Sequence, residues 1–405
     1  MELRLQNADG NDLMPIVLHT FQCLLPAYVT PQSAIHDWLA HAHAAAQTGS
    51  EQALAAARLR RAFDRFGCDP ERIARRFHAL EDFTHQDWAR MRIFNLTDHP
   101  EGRGLAARMD CFAEVTSQVF ASLYADEAVA PEHLIHVTCT GYVAPSAAQR
   151  LVASKGWLTT VVTHAYHMGC YAAFPAIRQA VGFLLADGAA GRADVVHTEL
   201  CTLHLNPALH DPEQLVIQSL FADGFARYTV ATQAPERPHF ELVATWEQLL
   251  PDSAEAMTWQ CADWGFHMTL ARDVPQRLAQ ALPGFVAYLA AKAGCTEADV
   301  RRARFAIHPG GPKIIEQVQA ALELEDAQVE ASRRVLRAYG NMSSATLPYV
   351  WAEMLADDTV ADGTLVVSLA FGPGLTLCGN LLIKRLCSDP QRPTEAGADA
   401  RKPGR

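Results

Sequence analysis

Two habits of apolar spacing divide this chain into elements. Short apolar runs bounded by turn residues predict buried strands, and apolar positions at three- and four-residue spacing predict helices. Residues 13–23 (Leu-Met-Pro-Ile-Val-Leu-His-Thr-Phe-Gln-Cys) read as a first strand. Residues 33–65 read as helical and end in Arg58, Arg60, Arg61 and Arg65, after which Gly67-Cys68-Asp69-Pro70 breaks the helix. A long helix over 101–126 and a short strand from Leu134 to Cys139 follow. The extended run Trp157 to Val162 leads through a turn into a helix from Ala176 to Ala186. A strand from Ala193 to Cys201, a helix over 213–221 and a strand from Phe225 to Ala231 complete this half.

After the Pro235 to Pro238 break the pattern starts again. Strands are expected at Phe240–Trp246, Phe266–Ala271, Arg304–Ile307, Thr364–Ala370 and Leu375–Leu386. Helices are expected at Val274–Ala293, Ile314–Leu322, Ala327–Tyr339 and Ser344–Ala356, with Pro283-Gly284 kinking or splitting the first of them. Alternating strands and helices indicate an α/β protein with buried strands. The halves 1–235 and 236–387 each end in a strand and a glycine-containing turn, which suggests two similar lobes packed together. Residues 388–405 are rich in proline, glycine and charge, and are expected to be disordered.

Composition narrows the function. The 405 residues are 49% hydrophobic and 20% charged, an ordinary globular balance. A net charge of -11 argues against general nucleic-acid binding, which needs a positive face. No apolar run approaches bilayer-crossing length, and the N-terminus lacks the pattern of a signal peptide. The ten cysteines include no CxxC pair, so the expectation is a reduced, cytoplasmic protein.

Chemistry concentrates at three junctions between elements. Cys170 stands in the turn before the 176–186 helix, where unpaired N–H groups and the helix dipole favour thiolate. His308 opens His-Pro-Gly-Gly-Pro at 308–312, and Asn341 lies in Tyr-Gly-Asn-Met-Ser-Ser at 339–344. A thiolate held ionised by an imidazolium, with an amide donating to an oxyanion, attacks a thioester carbonyl. Each signal alone has a plainer reading: a core thiol, a loop histidine, a capping turn. Their force lies in occurring together.

These words resemble the type III polyketide synthases, the chalcone-synthase-like branch of the thiolase superfamily. The resemblance rests on Met168-Gly169-Cys170, Leu220 to Gly224, Ala306 to Pro312, Tyr339 to Ala345 and Ala370 to Leu375, and it spans residues 15 to 387. It implies a thiolase-like, duplicated five-layered αβαβα fold and a homodimer. It places the acyl-accepting nucleophile at Cys170, and at His308 and Asn341 the groups that bind the thioester carbonyl and promote malonyl decarboxylation. Phe221 falls at the aromatic gatekeeper position. Substrate contacts are further expected at Met268, Ser343, Cys139, Ala144, Thr202, Leu203, Gly372, Pro373 and Gly374. Coenzyme A contacts are expected at Gly311 and, as substitutes for lysines that do not match, at Arg61, Arg65 and Arg72. The substrates implied are acyl-CoA and malonyl-CoA, with neither metal nor redox cofactor; a carrier-protein substrate belongs to the competing β-ketoacyl synthase III-like reading.

Departures from the plant pattern point to a bacterial-type enzyme. Met268 replaces the second gatekeeper phenylalanine, and Ala144 replaces the methionine that reaches into the partner's cavity. Cys201-Thr202-Leu203-His204 is similar to the corresponding segment of alkylpyrone and alkylresorcinol synthases, which implies a long or apolar starter. Three other readings compete. One is a β-ketoacyl synthase III-like enzyme performing a single condensation. Another is a metal module on His164, His167 and Cys170, which lacks a second ligand pair. The last is a catalytically silent thiolase-like subunit.

Overall fold

The computed structural model describes residues 15–47, 52–187 and 191–386. In the first half, strands β1 (Val17–Leu24) and β2 (Tyr28–Pro31) precede helices α1 (Gln32–Ala45) and α2 (Gln52–Phe66). Strand β3 (Arg75–His78), helix α3 (Leu105–Leu123), strand β4 (His133–Thr138) and helix α4 (Ala147–Lys155) follow. Next come β5 (Val161–Tyr166), α5 (Ala173–Asp187), β6 (Arg192–Leu200), α6 (Pro212–Leu220) and β7 (Asp223–Ala231).

The second half opens with β8 (His239–Leu249), the hairpin β9 (Met257–Cys261) and β10 (Phe266–Leu270), and α7 (Val274–Lys292). Helix α8 (Glu297–Arg302), strand β11 (Arg304–Ile307), and helices α9 (Pro312–Ala321), α10 (Asp326–Tyr339) and α11 (Thr346–Ala356) continue it. Strands β12 (Leu365–Gly372) and β13 (Thr376–Arg385) end it.

Nine strands hydrogen-bond in the order β11-β12-β13-β8-β1-β7-β6-β4-β5. On one side, parallel β4 and β6 lead to antiparallel β7 and β1; on the other, parallel β11 and β12 lead to antiparallel β13 and β8. The two patterns meet at a narrow seam, where β1 pairs with β8 only through Val17–Glu241 and Leu18–Phe240.

Helices α5 and α11 lie between the two halves of the sheet. Helix α5 touches β4, β6, β7 and β13, and α11 touches β1, β7 and β11. The faces that meet the sheets are apolar: Ala173, Phe174, Ile177 and Leu184 in α5, and Leu347, Val350, Trp351 and Met354 in α11 are buried. The outer face of the first half packs against α1 to α4 around Trp38, Phe94 and Phe120. The outer face of the second half packs against α7, α9 and α10 around Phe285, Phe305 and Val318. The layering is therefore helix, sheet, helix, sheet, helix, a thiolase-like α/β fold.

Several element boundaries differ from the sequence expectation. Residues 33–65 form two helices rather than one. Trp157 closes the turn after α4 through its N–H to Val152 O (3.0 Å), so the strand before Cys170 begins at Val161. Pro283 does not split α7. It and Gly284 are exposed, so water can take the carbonyl that proline leaves free. Helix α4 and strand β9 had no strong periodic signal. Residues 13, 14 and 388–405 lie outside the described residues.

Trp351 is fully buried, edge-on to Phe21, Phe174 and Tyr228, and donates its Nε1–H to Ser368 Oγ (2.9 Å). Trp351→Ala is expected to cost about 3–5 kcal/mol in a urea unfolding experiment. A loss below about 1 kcal/mol would show that the middle layer does not hold the halves together.

Candidate active site

Cys170 sits in a single 3₁₀ turn, Gly169–Tyr171, between β5 and α5. His167 (φ 61°) and Gly169 (φ 78°) turn the chain there through left-handed conformations. Gly169 is also the only residue that fits: an added Cβ would lie 2.4 Å from Pro373 Cδ. On the other side, a Cβ on Gly372 would lie 2.1 Å from the Tyr171 ring. The Gly372-Pro373 corner after β12 is thus pressed directly onto the cysteine turn.

The matching turn before α11, Ser343–Ala345, meets it from the second half. The Cys170 thiol donates to Ser343 Oγ (3.8 Å), which donates to Cys139 Sγ (3.8 Å). Gly169 N–H also reaches Cys139 Sγ, at 3.0 Å. Asn341 Oδ1 accepts Ser343 N–H (2.9 Å) and its Nδ2 donates to Gly310 O (3.1 Å). Gly310 is two residues beyond His308, so Asn341 is tied to the histidine loop. The His308 backbone N–H is itself fixed to Leu369 O of β12 at 2.7 Å.

Electrostatics differ from the expected thiolate–imidazolium pair. Burial pushes the Cys170 thiol up to about 12, while donors from Ser343 and Asn341 pull it down. Burial also drives the His308 imidazole down to about 3, so it is neutral at physiological pH. Both of its ring nitrogens are buried without a partner. An imidazole stripped of water and given nothing in return carries a desolvation cost that a bound ligand can offset.

A narrow, largely apolar cavity opens from Cys170. Among the expected residues, Cys139, Thr202, Phe221, Met268, Ser343 and Pro373 line it. His308, Asn341, Ala144, Leu203, Gly372 and Gly374 are not part of that lining. Ala144 is exposed on the surface, and Leu203 is buried in the core behind the cavity. Gly372 faces the Tyr171 ring instead, and Gly374 lies against Leu249. The three arginines are also outside it: Arg61 and Arg65 are exposed, and Arg72 pairs with Glu316 of α9 (2.9 Å). Gly311 lies at the start of α9 beside Leu220.

His164, His167 and Cys170 do not converge as ligands. His164 Nε2 bonds Ser146 Oγ (2.9 Å) and His167 Nε2 bonds Trp259 O (2.8 Å). No cluster of three potential ligand residues occurs among the described residues.

Two contributors escaped the sequence reading. Trp259 of β9 lines the cavity and donates Nε1–H to Cys139 O (2.7 Å). Glu199 is fully buried behind the cysteines, accepting from Cys139 N (3.0 Å), Thr140 Oγ1 (3.0 Å) and Ser344 Oγ. An acid one residue before the end of buried strand β6 was the available signal for it. Burial raises its carboxyl to about 7, against the donors that hold it down.

Comparison with known proteins places this geometry. Residues 241–386 match the family of chalcone and stilbene synthases, C-terminal domain. The chain is 33% identical over 315 residues to bisdemethoxycurcumin synthase of Oryza sativa subsp. japonica, 71% of this chain and 77% of that protein. It is 31% identical over 265 residues to type III polyketide synthase A of Arabidopsis thaliana, covering 63% of this chain and 66% of that one. The match to probable polyketide synthase 1 of Dictyostelium discoideum, 30% identical over 256 residues and 62% of this chain, spans only 8% of that relative. The crystal structure of the C-terminal type III polyketide synthase domain of Steely1 from Dictyostelium superposes with a TM-score of 0.77 at 22% identity, covering 92% of this chain and 100% of that one. The fold and cavity define a thiolase-like protein with a cysteine at its centre. The chain belongs to the chalcone and stilbene synthase family, the type III polyketide synthases, a family of acyltransferases.

Two outcomes are expected. Ser343→Ala removes a donor that favours the Cys170 thiolate, so its pKa rises and alkylation by iodoacetamide at fixed pH slows about tenfold; an unchanged rate means that the hydroxyl does not act on the sulfur. For Glu199, the folded pKa of about 7 lies above the unfolded value of 4.5. Its contribution is therefore complete below pH 4.5 and lost as pH rises through 7. Melting curves at pH 5 and pH 8 should show wild type losing about 3 kcal/mol more than Glu199→Gln over that interval, and equal losses contradict the assignment.

Proposed function

We propose that this protein condenses an acyl-CoA starter with malonyl-CoA by decarboxylative Claisen chemistry on Cys170. The observation that carries this reading is the half-buried Cys170 thiol facing an apolar cavity, bonded to Ser343 Oγ, with Ser343 and Asn341 both favouring its thiolate form. The unpartnered His308 nitrogens add an empty hydrogen-bond site on the same loop system.

Cys170 as thiolate attacks the starter thioester carbonyl, and coenzyme A leaves as its thiol once protonated. Malonyl-CoA loses carbon dioxide, and the electrons of the broken C–C bond form an enolate. A neutral His308 N–H and the Asn341 amide donate to the enolate oxygen, a preorganised pair in a dry site. The enolate carbon attacks the Cys170 thioester, expelling the thiolate and giving a β-ketoacyl-CoA ready for reloading. Phe221 and Met268 stand as gates between the coenzyme A approach and the cavity.

The starter is a long or otherwise apolar acyl group, and the product an alkylpyrone or alkylresorcinol. Phe221, Met257, Trp259, Phe266 and Met268 give the cavity an apolar wall suited to such a chain. The partner is a second copy of the chain. The edge strand β5 leaves Val161 half exposed, and Leu158 just before it is 83% exposed, an apolar margin suited to pairing. The unpaired cysteines fit a reducing, cytoplasmic setting.

Incubation with malonyl-CoA and a series of acyl-CoA starters, followed by product masses, tests this reading. Products carrying several extender units on long starters are expected, and Cys170→Ala should lower their formation by about a thousandfold or more. A single extender unit points to one condensation only, and full activity in Cys170→Ala overturns the nucleophile.

A further inference from the structure

The C-terminus of α6 is capped by residues from three distant parts of the chain. The Gln32 side chain of α1 donates to Ser219 O (2.8 Å), and Asn341 N–H donates to Leu220 O (3.0 Å). One nitrogen, Arg76 Nη1 of β3, donates to both Gln218 O and Phe221 O, each at 2.7 Å. Ala222 N–H returns a bond to Asn341 O (2.8 Å), closing a parallel bridge between Phe221 and Asn341. The gate phenylalanine and the amide assigned to oxyanion binding therefore share one backbone clamp, and Arg76 closes it.

Arg76 is an unusual residue for this place. It is 3% exposed, makes no salt bridge among the described residues, and leaves Nε and Nη2 buried without partners. Asp223 is near enough to act on its charge, but its oxygens are taken by Ala79 N, Thr202 N and Thr202 Oγ1. A buried guanidinium without a carboxylate partner costs free energy, and an apolar side chain would serve mere packing better. The negative end of α6 offsets part of that cost. The stem of Arg76 is also fitted to the clamp: a Cβ on Gly340, the residue before Asn341, would lie 3.1 Å from Arg76 Cγ.

We propose that Arg76 is a positioning residue for the condensation, holding Phe221 and the Asn341 backbone in register so that the Asn341 amide faces the Cys170 acyl carbon. The inference rests on the functional reading of Asn341 above. It assigns Arg76 no contact with substrate. Its Nη1 fastens both sides of the turn, at Gln218 and at Phe221.

The test uses the full chain with Arg76→Met and Arg76→Lys. Two rates are followed: malonyl-CoA decarboxylation in the presence of starter, and iodoacetamide alkylation of Cys170 read by peptide mass. In Arg76→Met the decarboxylation rate is expected to fall about 10–100-fold, the cost of a displaced catalytic group, while Cys170 alkylation stays within about twofold. Arg76→Lys, which keeps a charged donor, should recover part of the loss. Wild-type turnover in Arg76→Met overturns the proposal. So does a parallel fall of turnover, alkylation and far-UV signal without rescue by lysine, which marks a folding role alone. A wild-type protein that decarboxylates no malonyl-CoA with any starter removes the functional reading itself, and is told apart because Arg76 then has no rate to alter.

Discussion

The contact on which this molecule depends is the meeting of two helix starts at its centre. Helices α5 and α11, one from each half, begin beside each other, and the residues at their first turns are Cys170 and Ser343, 3.8 Å apart. Everything else bears on that approach. The sheet halves enclose the helices, and Gly169 and Gly372 remove the side chains that would hold the cysteine turn away from the Gly372-Pro373 corner. Two helix N-termini aimed at one point supply unpaired N–H groups and positive potential in a site that excludes water.

That arrangement explains why the chemistry is spread over the chain. Asn341 follows α10 and precedes the Ser343 turn, and His308 directly follows β11, beside the strand that leads to Gly372. Each lies at the same end of the sheet because parallel strands and their following helices bring their junctions to one edge. The neutral His308, both of its ring nitrogens without a partner, and the raised Cys170 thiol have one cause, the burial of both groups.

Much of this was legible in the residues. Val366 to Ala370 and Val195 to Leu200 are buried on both faces, and the apolar run of the first, broken only by Ser368, and the Val195-Val196 start of the second marked them as strands. Cys170, His308 and Asn341 each stood in a glycine-marked turn, where backbone geometry rather than side-chain packing dictates sequence. What was hidden is what only tertiary contact creates. Leu203 and Thr202 are neighbours, yet one enters the core and the other the cavity, because the 3₁₀ turn Cys201–His204 rotates successive side chains apart. Trp259 lay on a strand without clear alternation, and nothing near Arg76 in sequence reveals that it caps a helix 142 residues away. Burial, which sequence does not display, holds the His308 imidazole neutral and pushes the Cys170 thiol up, against the ion pair expected from the residues.

The central claim, that one cysteine at the meeting of two helices takes up an acyl group, is tested most directly by intact-protein mass. Incubation with an apolar acyl-CoA and no malonyl-CoA should add one acyl group per chain, and peptide mapping should place it on Cys170. An acyl group found on Cys139 or Cys201, the other thiols lining the cavity, or no adduct on a folded protein, would contradict the account.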